Sequence, residues 1–208
     1  ILTDYAAIAI ENIRLLRQVE KSKDQEKRQI QNLFERYVAP PVVKALLDKA
    51  DEVALGGTRQ TVSVLFADLR GFTAFSTQHN PEMLVEVLNH YITAAAEAIL
   101  AQEGTLDKFM GDAVMAFFNA PLPQPDHALR AVRAASAIQH AMTALHRKLP
   151  PPLRLQFGIG VSVGEAVVGN IGTPQLMNYT IIGEAVNMGQ RLQARAKGGQ
   201  TLICQNTF

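Results

Sequence analysis

The chain has a single cysteine, Cys204, among 208 residues. That excludes an internal disulfide framework and any Cys-rich zinc site, and it suits a reducing compartment. The five histidines (His79, His90, His127, His140 and His146) do not fall at zinc-ligand spacings either. Charge of one sign is also lacking: 20 basic against 19 acidic residues leave a net charge of +1. A protein that grips nucleic acid through its phosphates ordinarily carries a basic excess, so no nucleic-acid partner is expected. No apolar run reaches the roughly 18–20 residues that cross a bilayer. The apolar stretches from Leu84 to Leu100 are broken by Glu86, Asn89, His90 and Glu97. No basic segment followed by an apolar one opens the chain as a leader would. These absences predict a cytoplasmic protein without membrane insertion. The chain lacks an initiator Met and starts in mid-pattern, so it reads as a piece of a larger protein. What it has is ordinary globular material, 48% hydrophobic and 19% charged, which excludes disorder and collagen-like repeats.

Glycine and proline are missing from the first 38 residues. There Ile13, Leu16, Ile30, Phe34 and Tyr37 share one a/d heptad register, while the seam positions Glu20, Lys23 and Lys27 are charged. This predicts a long helix over 1–38 that pairs with its own copy as a coiled coil. Pro40 and Pro41 end it, and a short helix from Val42 to Leu47 precedes a break at Gly56-Gly57.

Beyond that point strands and helices alternate. Thr61 to Ala67 is β-branched and apolar, hence a buried strand. Asn80-Pro81 opens a helix to about Ala101, with Pro81 at its first position. Thr105–Phe109 and Ala113–Phe118 form a hairpin around Met110-Gly111-Asp112. Asp126 is expected to cap a helix reaching about Leu149. Leu153–Val163 and Glu165–Val168 read as two strands separated by Gly164, followed by a short strand Thr180–Ile182. A helix from Glu184 to about Ala196 and a strand Thr201–Cys204 complete the pattern. The order predicts an α+β fold, a ferredoxin-like sandwich with helices packed on one sheet.

Two aspartates sit where apolar strands end. Asp68 follows a run of small and apolar residues, and such a carboxylate is costly unless paired or bound to a cation. Gly71 lets the backbone turn so that successive N–H groups face an anion. Asp112 lies in the hairpin turn beside another glycine. Two carboxylates next to such a loop suit a pair of Mg²⁺ ions shared with a polyphosphate. Gly158, Gly160 and Gly164 are not spaced as G-x-G-x-x-G, so no dinucleotide fingerprint is supported.

Four segments then converge on one family. FADLRGFTAFS around Asp68, DKFMGDAVMAFF around Asp112, GIGVSVGEAVVGNIG from Gly158 and YTIIGEAVNMGQRLQ from Tyr179 together resemble class III adenylyl cyclases. The likeness runs over roughly Val62 to Cys204, and FERYVAPPVVKALL resembles the segment leading into such domains. DYAAIAIENIRLL resembles the last helix of a GAF sensor domain. The resemblance implies a helical linker over 1–38 from an upstream sensor, a lead-in segment over 39–57 and a catalytic domain over 58–208. It also implies a head-to-tail homodimer that converts ATP to 3′,5′-cyclic AMP and pyrophosphate.

Residue by residue, Asp68 and Asp112 match the two metal-binding aspartates, for two Mg²⁺ ions or Mn²⁺ in their place, with the Leu69 carbonyl as a minor ligand. Gly71, Phe72 and Thr73 match the phosphate-holding turn. Lys108 matches the purine-reading lysine, and Thr180 stands where many adenylyl cyclases have aspartate. This Lys/Thr pairing resembles the bacterial branch related to soluble, bicarbonate-responsive cyclases. Asn187 and Arg191, four apart on one helical face, match the residues that orient the ribose and meet the α-phosphate. The family implies that Lys108, Thr180, Asn187 and Arg191 of one chain complete the site holding the aspartates of the other. It further implies that a basic phosphate contact lies beyond Phe208. Two alternatives stay open: a guanylyl or mixed-specificity cyclase, and a cyclase-like dimerisation module without catalysis.

Overall fold

The computed structural model describes residues 17–18, 20–25, 28, 42–43 and 54–207. The chain divides into two units, Ile1–Lys44 and Ala45–Phe208. In the first, the described residues 17–18, 20–25, 28 and 42–43 are helical. The remainder of the helix predicted over 1–38, its pairing and most of the short helix over 42–47 lie outside the described residues.

The second unit runs β1 (Gly56–Arg70), α1 (Phe72–Ser76), α2 (Pro81–Leu100), β2 (Thr105–Met110), β3 (Ala113–Phe118), α3 (His127–His146), β4 (Gln156–Thr173), β5 (Leu176–Ile182), α4 (Glu184–Arg195) and β6 (Thr201–Ile203). The sheet order is β2-β3-β1-β4-β5, antiparallel throughout, and β6 adds parallel to β4. The stretch β4-β1-β3-β2 with its two crossover helices is the ferredoxin-like core the sequence predicted.

Successive residues of a strand face opposite sides of a sheet, and the central strands use both. Leu65, Ala67 and Leu69 of β1, Val114, Ala116 and Phe118 of β3, and Phe157, Ile159 and Val161 of β4 all pack under α2 and α3. Val62, Val64 and Phe66 with Met115 and Phe117 belong to a second cluster on the other face, which takes in Ile181 of β5 and Ala185 of α4. Helix α2 begins as its sequence dictates: Asn80 is the N-cap, its side chain accepts from Met83 N, and Pro81 is N1. Among the described residues α2 alone is long and apolar enough to span a bilayer. Its Val87, Tyr91, Ala95 and Ile99 are instead buried against the sheet.

Three expectations need correction. Asp126 stands before α3 but its side chain caps nothing there; it accepts from Arg130 Nε at 2.6 Å, one turn on. β4 is one strand of 18 residues, unbroken at Gly164, because the ladder to β1 continues through the Gly164–Val62 pair. β1 is longer than Thr61–Ala67 and starts at Gly56, so Gly56-Gly57 begins a strand where a break was expected.

The glycines of β4 have a packing reason. Positions 158, 160, 162 and 164 share the face under α4, and they are Gly, Gly, Ser and Gly. A Cβ on Gly160 would run into Gln193 N and Gly189 O of α4, and one on Gly158 would meet the Arg70 guanidinium and Ala196 O. Ser162 Oγ donates to Ala185 O at 2.6 Å. Helix α4 therefore lies with its backbone almost on the sheet, burying Ala185 and Gly189 and leaving Asn187 and Arg191 exposed.

Candidate active site

The two aspartates meet at one corner. Asp68 is paired with Ala113 across β1–β3, the residue directly after Asp112. Leu69 N also contacts Asp112 O at 3.4 Å, which seats the hairpin turn against the end of β1. The turn is made by Gly111 at φ +66°. Burial and the nearby Asp112 charge push the Asp68 carboxyl above its ordinary range, opposed by Arg70. Arg70 Nη1 donates to Asp68 Oδ2 at 2.6 Å, Nε donates to Ala196 O at 2.9 Å, and Nη2 donates to Gln193 O. One guanidinium so joins a site carboxylate to the C-terminal end of α4.

Next to this corner Gly71 adopts φ +84°, a left-handed backbone, and its position has open space around it. Glycine is needed there for conformation, not for room. It caps α1, which the sequence did not announce, and the N–H groups of Phe72 and Thr73 in the first turn of that helix have no intrahelical acceptor. Leu69 is buried in the core, so only its backbone is left to reach the corner.

Lys108 and Thr180 come together elsewhere, through Asp107, which is not among the predicted site residues. The β2–β3 register shifts between Leu106 and Lys108, leaving Asp107 as the extra residue of a β-bulge. Thr180 Oγ1 donates to Asp107 Oδ2 at 2.7 Å. Lys108 Nζ lies 3.6 Å from Asp107 Oδ1, with the lysine side chain 45% exposed and the aspartate 2%. Thr180 belongs to β5, which the Phe117–Tyr179 ring contact (centroids 6.2 Å apart) holds against β3. A signal for Asp107 was present in TLDKFM, where two successive charged residues break the alternation expected of a strand.

Asn187 and Arg191 are exposed on α4 and line a shallow hollow of about 500 Å³ with Gly183 and Glu184. Neither side chain bonds to another described residue. A second hollow of about 630 Å³, bordered by Arg59, Met188 and Cys204, contains none of the predicted site residues. The site residues thus form three groups within one chain: Asp68 with Asp112 and Gly71, Lys108 with Thr180, and Asn187 with Arg191.

This combination of fold and residues has a counterpart among known proteins. The family model described as adenylate and guanylate cyclase catalytic domain matches residues 57–208. The chain belongs to that family. Adenylate cyclase 1 of Rhizobium meliloti is 33% identical over 174 residues, 82% of this chain and 26% of that protein. The chain therefore spans about a quarter of that curated relative. Among solved structures, the guanylyl cyclase Cya2 is 40% identical with a TM-score of 0.69, over 74% of this chain and 79% of that one. The adenylyl cyclase CyaB from P. aeruginosa is 35% identical at the same TM-score, over 74% of this chain and 81% of its own. The cyclase domain is thus shared with relatives of both base specificities, and overall likeness does not choose between them.

No cluster of three or more His, Cys, Asp or Glu side chains suited to a metal occurs among the described residues. Two carboxylates with a backbone carbonyl make an all-oxygen, incomplete donor set. That fits a hard divalent cation such as Mg²⁺ or Mn²⁺ that takes its remaining ligands from water and substrate phosphates.

Proposed function

We propose that this domain is an adenylyl cyclase, forming 3′,5′-cyclic AMP and pyrophosphate from ATP at sites shared across a head-to-tail homodimer. The observation that carries the reading is the meeting of Lys108 and Thr180 at Asp107. Adenine N1 is an acceptor and its amino group a donor, so an ammonium and a hydroxyl oxygen complement it. Guanine N1 bears a hydrogen and would face the ammonium unfavourably. The guanylyl cyclase among the relatives favours the GTP alternative; the two base-reading residues weigh against it.

Asp68, Asp112 and the Leu69 carbonyl would hold two Mg²⁺ ions. Those ions, when bound, supply charge neutralisation at the triphosphate and ease loss of the 3′-hydroxyl proton. The turn at Gly71, Phe72 and Thr73 holds phosphate oxygens through backbone N–H groups. Asn187 orients the ribose so that its 3′-oxygen lines up with the α-phosphorus. Arg191 offers a planar fork of donors as negative charge grows on the α-phosphate oxygens. The shared-site reading is supported by the exposure of Asn187 and Arg191 without partners among the described residues, while Arg70 of the same chain occupies Asp68. An upstream sensor acting through the helical linker belongs to the same proposal.

The test supplies ATP or GTP with Mg²⁺ or Mn²⁺ and measures cyclic product against protein concentration. The expected result is cAMP with little cGMP, and specific activity that falls on dilution. Mixing inactive Asp68→Ala and Arg191→Ala chains should restore partial activity. A GTP preference, or a dead mixture of variants that still dimerise, overturns the respective part.

A further inference from the structure

Asp107 is a buried carboxylate to which the reaction assigns no task. Burial pushes its pKa above the ordinary carboxylate range, with Thr180 and Lys108 pulling the other way. An apolar residue in mid-strand would avoid that penalty. Its two oxygens are instead divided between the two side chains assigned to the purine, Thr180 at 2.7 Å and Lys108 at 3.6 Å. The bulge makes this possible. In a regular strand residues 107 and 108 would face opposite sides of the sheet, and the extra residue re-aims one of them.

A threonine hydroxyl owns one proton and two lone pairs. Left free to rotate, it can accept from the amino group of adenine or donate to the 6-oxo group of guanine. Threonine alone is therefore an indifferent reader. An ionised carboxylate only accepts, so the bond to Asp107 uses the hydroxyl proton and leaves Thr180 Oγ1 with lone pairs alone. We propose that Asp107 is a specificity-determining positioning residue: by taking the Thr180 proton and holding Lys108 alongside, it turns an ambiguous hydroxyl into an obligate acceptor that selects adenine over guanine. The inference rests on the cyclase reading above and adds to it the group that sets the direction of the hydrogen bond.

The experiment compares the parent, Asp107→Asn, Thr180→Val and the double variant. Two quantities are read: kcat/KM for ATP and GTP, and, without turnover, Kd for fluorescent non-cyclisable analogues of both nucleotides. An asparagine can present Nδ2 to Thr180 and turn the hydroxyl proton outward. Asp107→Asn should therefore lower the ATP-to-GTP preference about tenfold, the worth of one redirected hydrogen bond. The change should appear in KM and in analogue Kd more than in kcat for ATP. In the Thr180→Val background, where no hydroxyl remains, Asp107→Asn should leave the preference where it was.

An unchanged preference in Asp107→Asn overturns the proposal. So does an equal change in the Thr180→Val background, or an equal weakening of both nucleotides with a fall in thermal stability, which a merely structural aspartate would give. These outcomes differ from a failure of the cyclase reading. If the parent makes no cyclic product and binds both analogues alike, that reading falls and this one with it. If the parent prefers ATP and Asp107→Asn keeps the preference, only the present inference falls.

Discussion

Under α2 and α3 the sheet offers Leu65, Leu69, Phe118, Phe157 and Ile159, filled out by alanines of the helices. Under α4 the same strand β4 offers Gly158, Gly160, Ser162 and Gly164. The first face is held by side-chain volume, where each buried large residue contributes roughly 1.5–3 kcal/mol. The second is held by closeness of backbones and by polar links such as Ser162 to Ala185 O and Arg70 to Gln193 O. Close backbone seating decides where side chains remain available for chemistry. A helix seated on glycines spends little of its own surface on packing, so Asn187 and Arg191 stay exposed, without partners among the described residues.

The largest effect is expected on the bulky face. Phe157→Ala is expected to destabilise the fold by about 3–5 kcal/mol, the usual range for an aromatic removed from a core. Denaturant unfolding measures this, and a loss under about 1 kcal/mol would mean that the α2/α3 face is not the stabilising one. Gly160→Ala is expected to cost about 1–3 kcal/mol, because the added methyl meets backbone atoms of α4 that have no side-chain freedom to yield. Its sharper effect should be on cyclase activity, since α4 carries Asn187 and Arg191, the residues proposed to meet the ribose and the α-phosphate. Retention of full activity would show that the close seating of α4 is unimportant to the site.

The smallest expected effect separates stability from recognition at Asp107. Its folded pKa lies above its unfolded value. Stability from this group is therefore complete below the unfolded value and is lost as pH rises through the raised folded value. At pH 7 the ionised carboxylate is a burden, and Asp107→Asn should melt slightly higher than the parent. The gap should close as pH falls towards the ordinary aspartate value of 3.8. A lower melting temperature at pH 7 would mean that the Thr180 and Lys108 contacts outweigh the burial.

Much of the fold was legible because local signals agreed with each other. Asn80-Pro81 named both the cap and the first residue of α2, and the apolar run before Asp68 could only be a buried central strand. The glycines of β4 were legible as glycines but misread at Gly164, since a sequence does not show that a helix lies across a strand. The small helix α1 was hidden for a related reason: five residues are too few to display a 3.6-residue period. The two aspartates, Lys108, Asn187 and Arg191 were proposed from four motifs in order, whereas nothing in those motifs singled out Asp107. Its burial and its bond to Thr180 depend on a bulge and on β5 lying against β3. Both are long-range facts that adjacent residues do not encode.

Arg70 is a lone side chain with three acceptors: Gln193 O in the last turn of α4, Ala196 O just after that helix, and the Asp68 carboxylate. Its guanidinium is flat and its donors are fixed in a fork, so the three contacts leave it almost no rotation. The end of β1 and the end of α4 then behave as one rigid bracket. The last turn of α4 cannot shift unless it carries the Asp68 carboxylate along or breaks an ion pair. A lysine at this position, with one ammonium on a flexible stem, would turn the bracket into a hinge.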